Sequence, residues 1–148
     1  MKNERKNNKK IGDSGEYFVA GELSRRNYTV ALTTSGTEYF DLLTVSPVSK
    51  KKCAIQVKTT EKSTWLLNKK NEDLKEEDLY YVFVNLNKLE LPSYYVVPSK
   101  IVADIIRNSH KEWLKQPNKK GEVHNDNPAR TLKRTDIEKY SNNWNLLK

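Results

Sequence analysis

Cys53-Ala54-Ile55-Gln56-Val57-Lys58-Thr59 is a short apolar run interrupted twice by polar residues, two positions apart. Successive side chains of a strand point to opposite faces, so Gln56 and Lys58 share one face, roughly 7 Å apart, while Ile55 and Val57 share the other. An amide oxygen and an ammonium then point into the same space. Upstream, Asp41 interrupts a second apolar run at residues 40–45. Removing a carboxylate or an ammonium from water without a partner is strongly unfavourable, so Asp41 and Lys58, if buried, must meet each other, a metal or a bound anion.

A carboxylate, then a strand bearing acceptor-x-Lys, with Glu16 on a preceding helix, is an order that resembles the PD-(D/E)xK nuclease superfamily and its Holliday-junction-resolvase-like branch. The resemblance covers residues 12–60. It implies an α/β, restriction-endonuclease-like fold, a central mixed β-sheet flanked by helices. It makes Asp41 the principal metal ligand, Gln56 the second ligand where the family usually has Glu, Lys58 the catalytic lysine, and Glu16 the helix carboxylate. It further implies a metal-dependent DNA endonuclease using Mg²⁺, with Mn²⁺ as a substitute. Phe40 stands where the family pattern has Pro, and Gln56 is neutral where it has an acid.

The residue types suit that chemistry on physical grounds. Phosphodiester hydrolysis calls for a hard cation held by oxygen ligands, which polarises the phosphoryl oxygen and lowers the pKa of the attacking water. Asp41 offers a charged oxygen and Gln56 only a carbonyl. Lys58 is a compact cation that can orient or deprotonate water, or stabilise charge gathering on phosphorus, and burial would lower its pKa toward that use. With Glu16 and Asp41 as the anions beside Lys58, the substrate phosphate is expected to complete the metal's shell. The same pattern without function would be a buried salt bridge, or polar residues on an exposed strand face. Glu16 would then be a first-turn acid favoured by the helix dipole.

The chain of 148 residues fits one domain with an ordinary core, and residues 1–11 are expected to form a basic arm ahead of a domain at 12–148. A formal net charge of +8 draws it toward polyanions, DNA first, with RNA left open. A lysine-rich surface also serves solubility. The single Cys53 excludes an internal disulfide and a cysteine-cluster zinc site. No apolar segment approaches the roughly 18 residues a membrane span needs, and residues 1–10 are too polar for a signal peptide, so a cytosolic protein is expected. Resolvase-like relatives are often dimeric, which makes a homodimer the implied assembly, although no interface is legible.

A helix is expected from an N-cap at Asp13 or Ser14 to about Arg26, with Tyr17, Ala20 and Leu23 inward. Strands follow at residues 28–33, 40–45 and 53–59 as an antiparallel meander with turns at 34–37 and 46–50, then at 80–86 and 94–97. A helix over 100–115 buries Ile101, Ile105, Ile106, Trp113 and Leu114. Residues 61–78 read as irregular, 116–135 as a polar connection, and 136–147 as a closing helix with Ile137, Tyr140, Trp144 and Leu147 in one stripe.

Other signals are weaker. His124-Asn125 lacks the second downstream His of an HNH site, and His110 reads as a packing residue. The Tyr80-Tyr81 and Tyr94-Tyr95 pairs can stack on bases but more often fill a core. Lys119, Lys120, Arg130, Lys133 and Arg134 form a basic region suited to a phosphate backbone or simply to solvent. The five glycines form no phosphate-binding loop. Two functions follow: a nuclease, or a catalytically inactive nucleic-acid-binding module on the same fold. A protein-interaction domain with incidental charge is the third.

Overall fold

A computed structural model describes residues 8–34 and 39–148. The β-branched and aromatic runs pair into one five-stranded sheet: β1 (Thr29–Leu32), β2 (Leu42–Val45), β3 (Lys52–Thr60), β5 (Leu79–Asn85) and β6 (Ser93–Pro98), in the order β1-β2-β3-β5-β6. The first three form the expected antiparallel meander. β5 then runs parallel to β3, and β6 antiparallel to β5, so the sheet is mixed. β5, LYYVFVN, is buried at every position, as a central strand covered on both faces requires.

Strand alternation divides the interior in two. Ile55, Val57, Tyr80, Val82 and Val84 face α1 (Asn8–Arg25), which buries Val19 and Leu23 against them. Tyr81, Phe83, Tyr95 and Val97 face α2 (Ser99–Lys115), which contributes Val102 and Ile106. Both tyrosine pairs are thus core residues.

A second, two-stranded sheet pairs β4 (Thr64–Asn68) with β7 (Ala129–Lys133). It replaces the irregular segment and part of the polar connection expected from the sequence. Trp65 anchors it, packing edge-on against Phe83 and donating its indole N–H to Val84 O at 3.1 Å.

Several other expectations need correction. α1 begins at Asn8, so residues 8–11 are helical rather than arm, and Ser14 bonds back to Lys10 O (2.6 Å) instead of capping. Tyr17 points outward, and the inward stripe is Gly15, Val19 and Leu23. The inward residues of α2 are Val102, Ala103 and Ile106, with Ile101 and Ile105 at their border. The closing segment is not one helix: α3 (Arg134–Ile137) gives way to two 3₁₀ turns, Glu138–Tyr140 and Trp144–Leu147. Ile137 packs on the α2 side, while Trp144 and Leu147 pack on the α1 side. The chain crosses the β6 edge between them, where Asn142 adopts φ 49° and its N–H donates to Tyr94 O (2.9 Å). A straight helix has one stripe and cannot serve two faces of a sheet. Residues 1–7, and residues 35–37 of the expected turn, lie outside the described residues.

Candidate active site

The candidate residues meet where β2 leaves β3. The chain bends before β2, with Tyr39 at φ 75°, a left-handed conformation uncommon for a non-glycine residue. Asp41 N–H donates to Ile55 O at 2.7 Å, and Asp41 Oδ2 accepts from Val57 N–H at 2.7 Å. The carboxylate therefore takes a β3 amide that the departing strand no longer pairs, that of the residue between Gln56 and Lys58 in sequence. With its amide oriented so that nitrogen and oxygen each meet a complementary group, Gln56 donates to Tyr39 O (3.2 Å) and accepts from Lys58 Nζ (3.3 Å).

Glu16 arrives from the other side of the sheet. A Cβ at Gly15 would overlap the Thr59 hydroxyl, so α1 rests on β3 at a distance only glycine permits. That contact brings the next residue, Glu16, into the electrostatic field of Asp41. Burial, reinforced by Asp41, lifts the Glu16 carboxyl above the usual range. Burial also lifts Asp41, against the opposing pull of the Val57 N–H and the Lys58 charge. For Lys58, burial lowers the pKa; Asp41 opposes this and Lys70 adds to it. Asp41, Gln56 and Lys58 thus lie together, each half-buried, and Glu16, also half-buried, approaches from α1 within the influence of the Asp41 charge.

Among the described residues no group of three His, Cys, Asp or Glu side chains gathers to hold a metal. The donor set is two carboxylates and one amide oxygen. These are hard oxygen donors, and the chemistry of that set is of the kind that Mg²⁺ or Mn²⁺ takes. Gln56, with its oxygen already on Lys58, is the weakest of the three.

The wider charge pattern is corrected in one respect. Arg130, expected as a phosphate contact, is 3% exposed and paired with Glu72, so it is spent on structure. His110 is bound to Asp126 (2.7 Å), and Trp113 stacks between His110 and His124. These contacts tie residues 116–128 to α2 and have no link to the Asp41 cluster. The sequence reading missed the Tyr39 carbonyl and Lys70; a lysine among 27 basic residues carries no local signal.

No protein-family model and no curated protein matches the chain. Solved structures do. Hjc, a Holliday junction resolvase from the archaeal hyperthermophile Archaeoglobus fulgidus, matches with a TM-score of 0.52 at 12% identity, over 86% of this chain and 87% of that one. The bacterial homing endonuclease I-Ssp6803I matches with a TM-score of 0.55 at 13% identity, over 95% of this chain and 90% of that one. At such identities the likeness shows the fold, and that fold is the restriction-endonuclease-like α/β architecture expected from the sequence.

Proposed function

We propose that this protein is a metal-dependent DNA endonuclease that hydrolyses phosphodiester bonds at the Asp41 cluster. The observation that carries the reading is the convergence of Asp41, Gln56 and Lys58 at the divergence of β2 from β3, with Glu16 brought in by the Gly15 contact. The two structural neighbours are DNA-cutting enzymes by description, which supports the same reading.

Asp41, Glu16 and the Gln56 oxygen would hold the cation. When bound, Mg²⁺ supplies polarisation of a phosphoryl oxygen and a lowered pKa for the attacking water. The chain's own residues do the rest. Asp41 is fixed through one oxygen by the Val57 N–H, and among the described residues the other oxygen has no hydrogen-bond partner, which leaves it for a ligand. Lys58 is fixed by the Gln56 oxygen, and its ammonium would stabilise the charge that gathers on the phosphorus oxygens. Because burial lowers its pKa, Lys58 also passes a proton more readily than an exposed lysine would.

Cleavage assays on linear, supercoiled, single-stranded and branched DNA, with Mg²⁺ or Mn²⁺, test this. The wild type should cut at least one substrate, and Lys58→Ala and Asp41→Ala should bind without cutting. Salt-sensitive binding with no cleavage under either metal would instead support the second reading, a nucleic-acid-binding module on the same fold. That reading draws on one specific observation, the neutral Gln56 whose oxygen is already taken by Lys58.

A further inference from the structure

Behind the site stands the small β4–β7 sheet, and the 3₁₀ turn Lys69–Glu72 at its end is held unusually firmly for so short a segment. Asn68 and Asn71 cap each other: Lys70 N–H donates to Asn68 Oδ1 (3.2 Å) and Asn68 N–H to Asn71 Oδ1 (2.8 Å). The Asn71 amide then donates to Tyr81 OH at 3.0 Å. Glu72 is pinned twice, its carboxylate by the buried Arg130 and its carbonyl by Arg107 Nη2 (2.9 Å). Tyr81 is the β5 partner of Gln56 in the strand register, and Phe83 is the partner of Lys58. The turn is therefore anchored one strand away from the Asp41 cluster, on the face that Gln56 and Lys58 share.

Lys70 sits on this turn and is exposed, and its ammonium has no hydrogen bond or ion pair among the described residues. An exposed ammonium on a rigid turn that is tied to the sheet face carrying Gln56 and Lys58, with no carboxylate paired to it among the described residues, is placed to meet an anion there. The pinned turn fixes the backbone from which the Lys70 side chain reaches out.

We propose that Lys70 binds the nucleic-acid phosphate next to the one seated at Lys58, with Asn71, Glu72 and Arg130 as positioning residues. This rests on the nucleic-acid part of the reading above and not on cleavage. A cation at the adjoining phosphate fixes the backbone's path across the Asp41 cluster.

The test is fluorescence anisotropy with duplex and four-way branched DNA across a salt series, without divalent cations so that no cleavage intervenes. Lys70→Ala should weaken binding several-fold and make the log–log salt slope shallower by about 0.9, the value for one lost phosphate contact. Lys70→Arg should keep the slope, and Lys111→Ala, on the exposed face of α2, should leave both unchanged. Because only the Lys70 amide takes part in the cap, the thermal unfolding of Lys70→Ala should match the wild type. A Lys70→Ala slope equal to the wild-type slope overturns the proposal, as does a wild type with no salt-sensitive affinity. Binding that responds to Lys70 in a protein that never cuts DNA would sink the nuclease reading and leave this one standing.

Discussion

Replacing Gly15 with alanine reads the placement of α1, and with it the position of Glu16. In a helix interior, Gly→Ala ordinarily stabilises by about 0.5–1 kcal/mol. Here the new methyl would overlap the Thr59 hydroxyl and come within 2.9 Å of Thr59 Cβ and Cγ2. Threonine is short and branched at Cβ, so it cannot swing aside, and overpacking of this kind costs about 1–3 kcal/mol. The second effect outweighs the first, for a net loss of about 1 kcal/mol. Urea unfolding should show a lower midpoint with an unchanged slope. Thr59→Ala should rescue the variant, since the Thr59 hydroxyl is buried without a hydrogen-bond partner among the described residues and its loss opens the needed space. A double-mutant cycle should then give a coupling of about 1 kcal/mol. If Gly15→Ala alone stabilises by the full propensity gain, α1 does not ride on Thr59, and the route that brings Glu16 to Asp41 is wrong.

Three other outcomes are expected. The raised Glu16 carboxyl makes the native state hold its proton to higher pH than the unfolded chain does, so this group's contribution to stability falls as pH rises through that window. Glu16→Gln should therefore raise stability near neutral pH and have little effect below the usual carboxylate range; equal effects at both ends of a urea-unfolding pH series would contradict the assignment. Gln56→Glu adds a third carboxylate to the donor set, and calorimetry on the DNA-free protein should show Mn²⁺ binding tightened on the order of tenfold over a weak wild-type affinity. Glu72→Ala strands a guanidinium that is 3% exposed, so denaturation should show a loss of about 3 kcal/mol, and DNA affinity should fall along with the loosened turn.

The central sheet was legible because its strands are written in Val, Ile, Tyr and Phe, and because parity within β3 fixes which residues share a face. Asp41, Gln56 and Lys58 could be brought together from the sequence for that reason: a single short connection joins their strands, which leaves little freedom in register. β4 and β7 were hidden by their own residues. In TWLLN the middle Leu66 faces solvent at 77% exposure, which masks the alternation of Trp65 and Leu67 inward. In ARTLK the inward pair is Leu132 and Arg130, and an arginine reads as surface until Glu72, 58 positions away in sequence, is seen to neutralise it. Gly15 reads as a weak point in a helix, when the missing side chain is what docks it. The closing segment showed the right apolar residues, but helical spacing suggested one stripe where the chain feeds two cores.

Charge at the site gives Gln56 a consistent role. Glu16 and Asp41 bring two carboxylates and Lys58 an ammonium, with Lys70 on the turn one strand away. The cluster has nearly balanced charge, so a free divalent cation gains little by entering alone. A phosphate arriving between the lysines shifts that balance, because it neutralises the ammoniums and adds oxygen donors of its own, and the carboxylates are then left for a metal. A glutamate at position 56 would undo this order in two ways. It would make the empty cluster negative enough to take up a cation before nucleic acid, and it would pair with Lys58 as an ion, raising the pKa that burial now depresses. The neutral amide holds the lysine in place without adding charge, so metal and nucleic acid are expected to bind together. Their coupling is measurable in either direction, as Mg²⁺ enhancement of DNA affinity or as DNA enhancement of Mg²⁺ affinity, and the two factors must be equal.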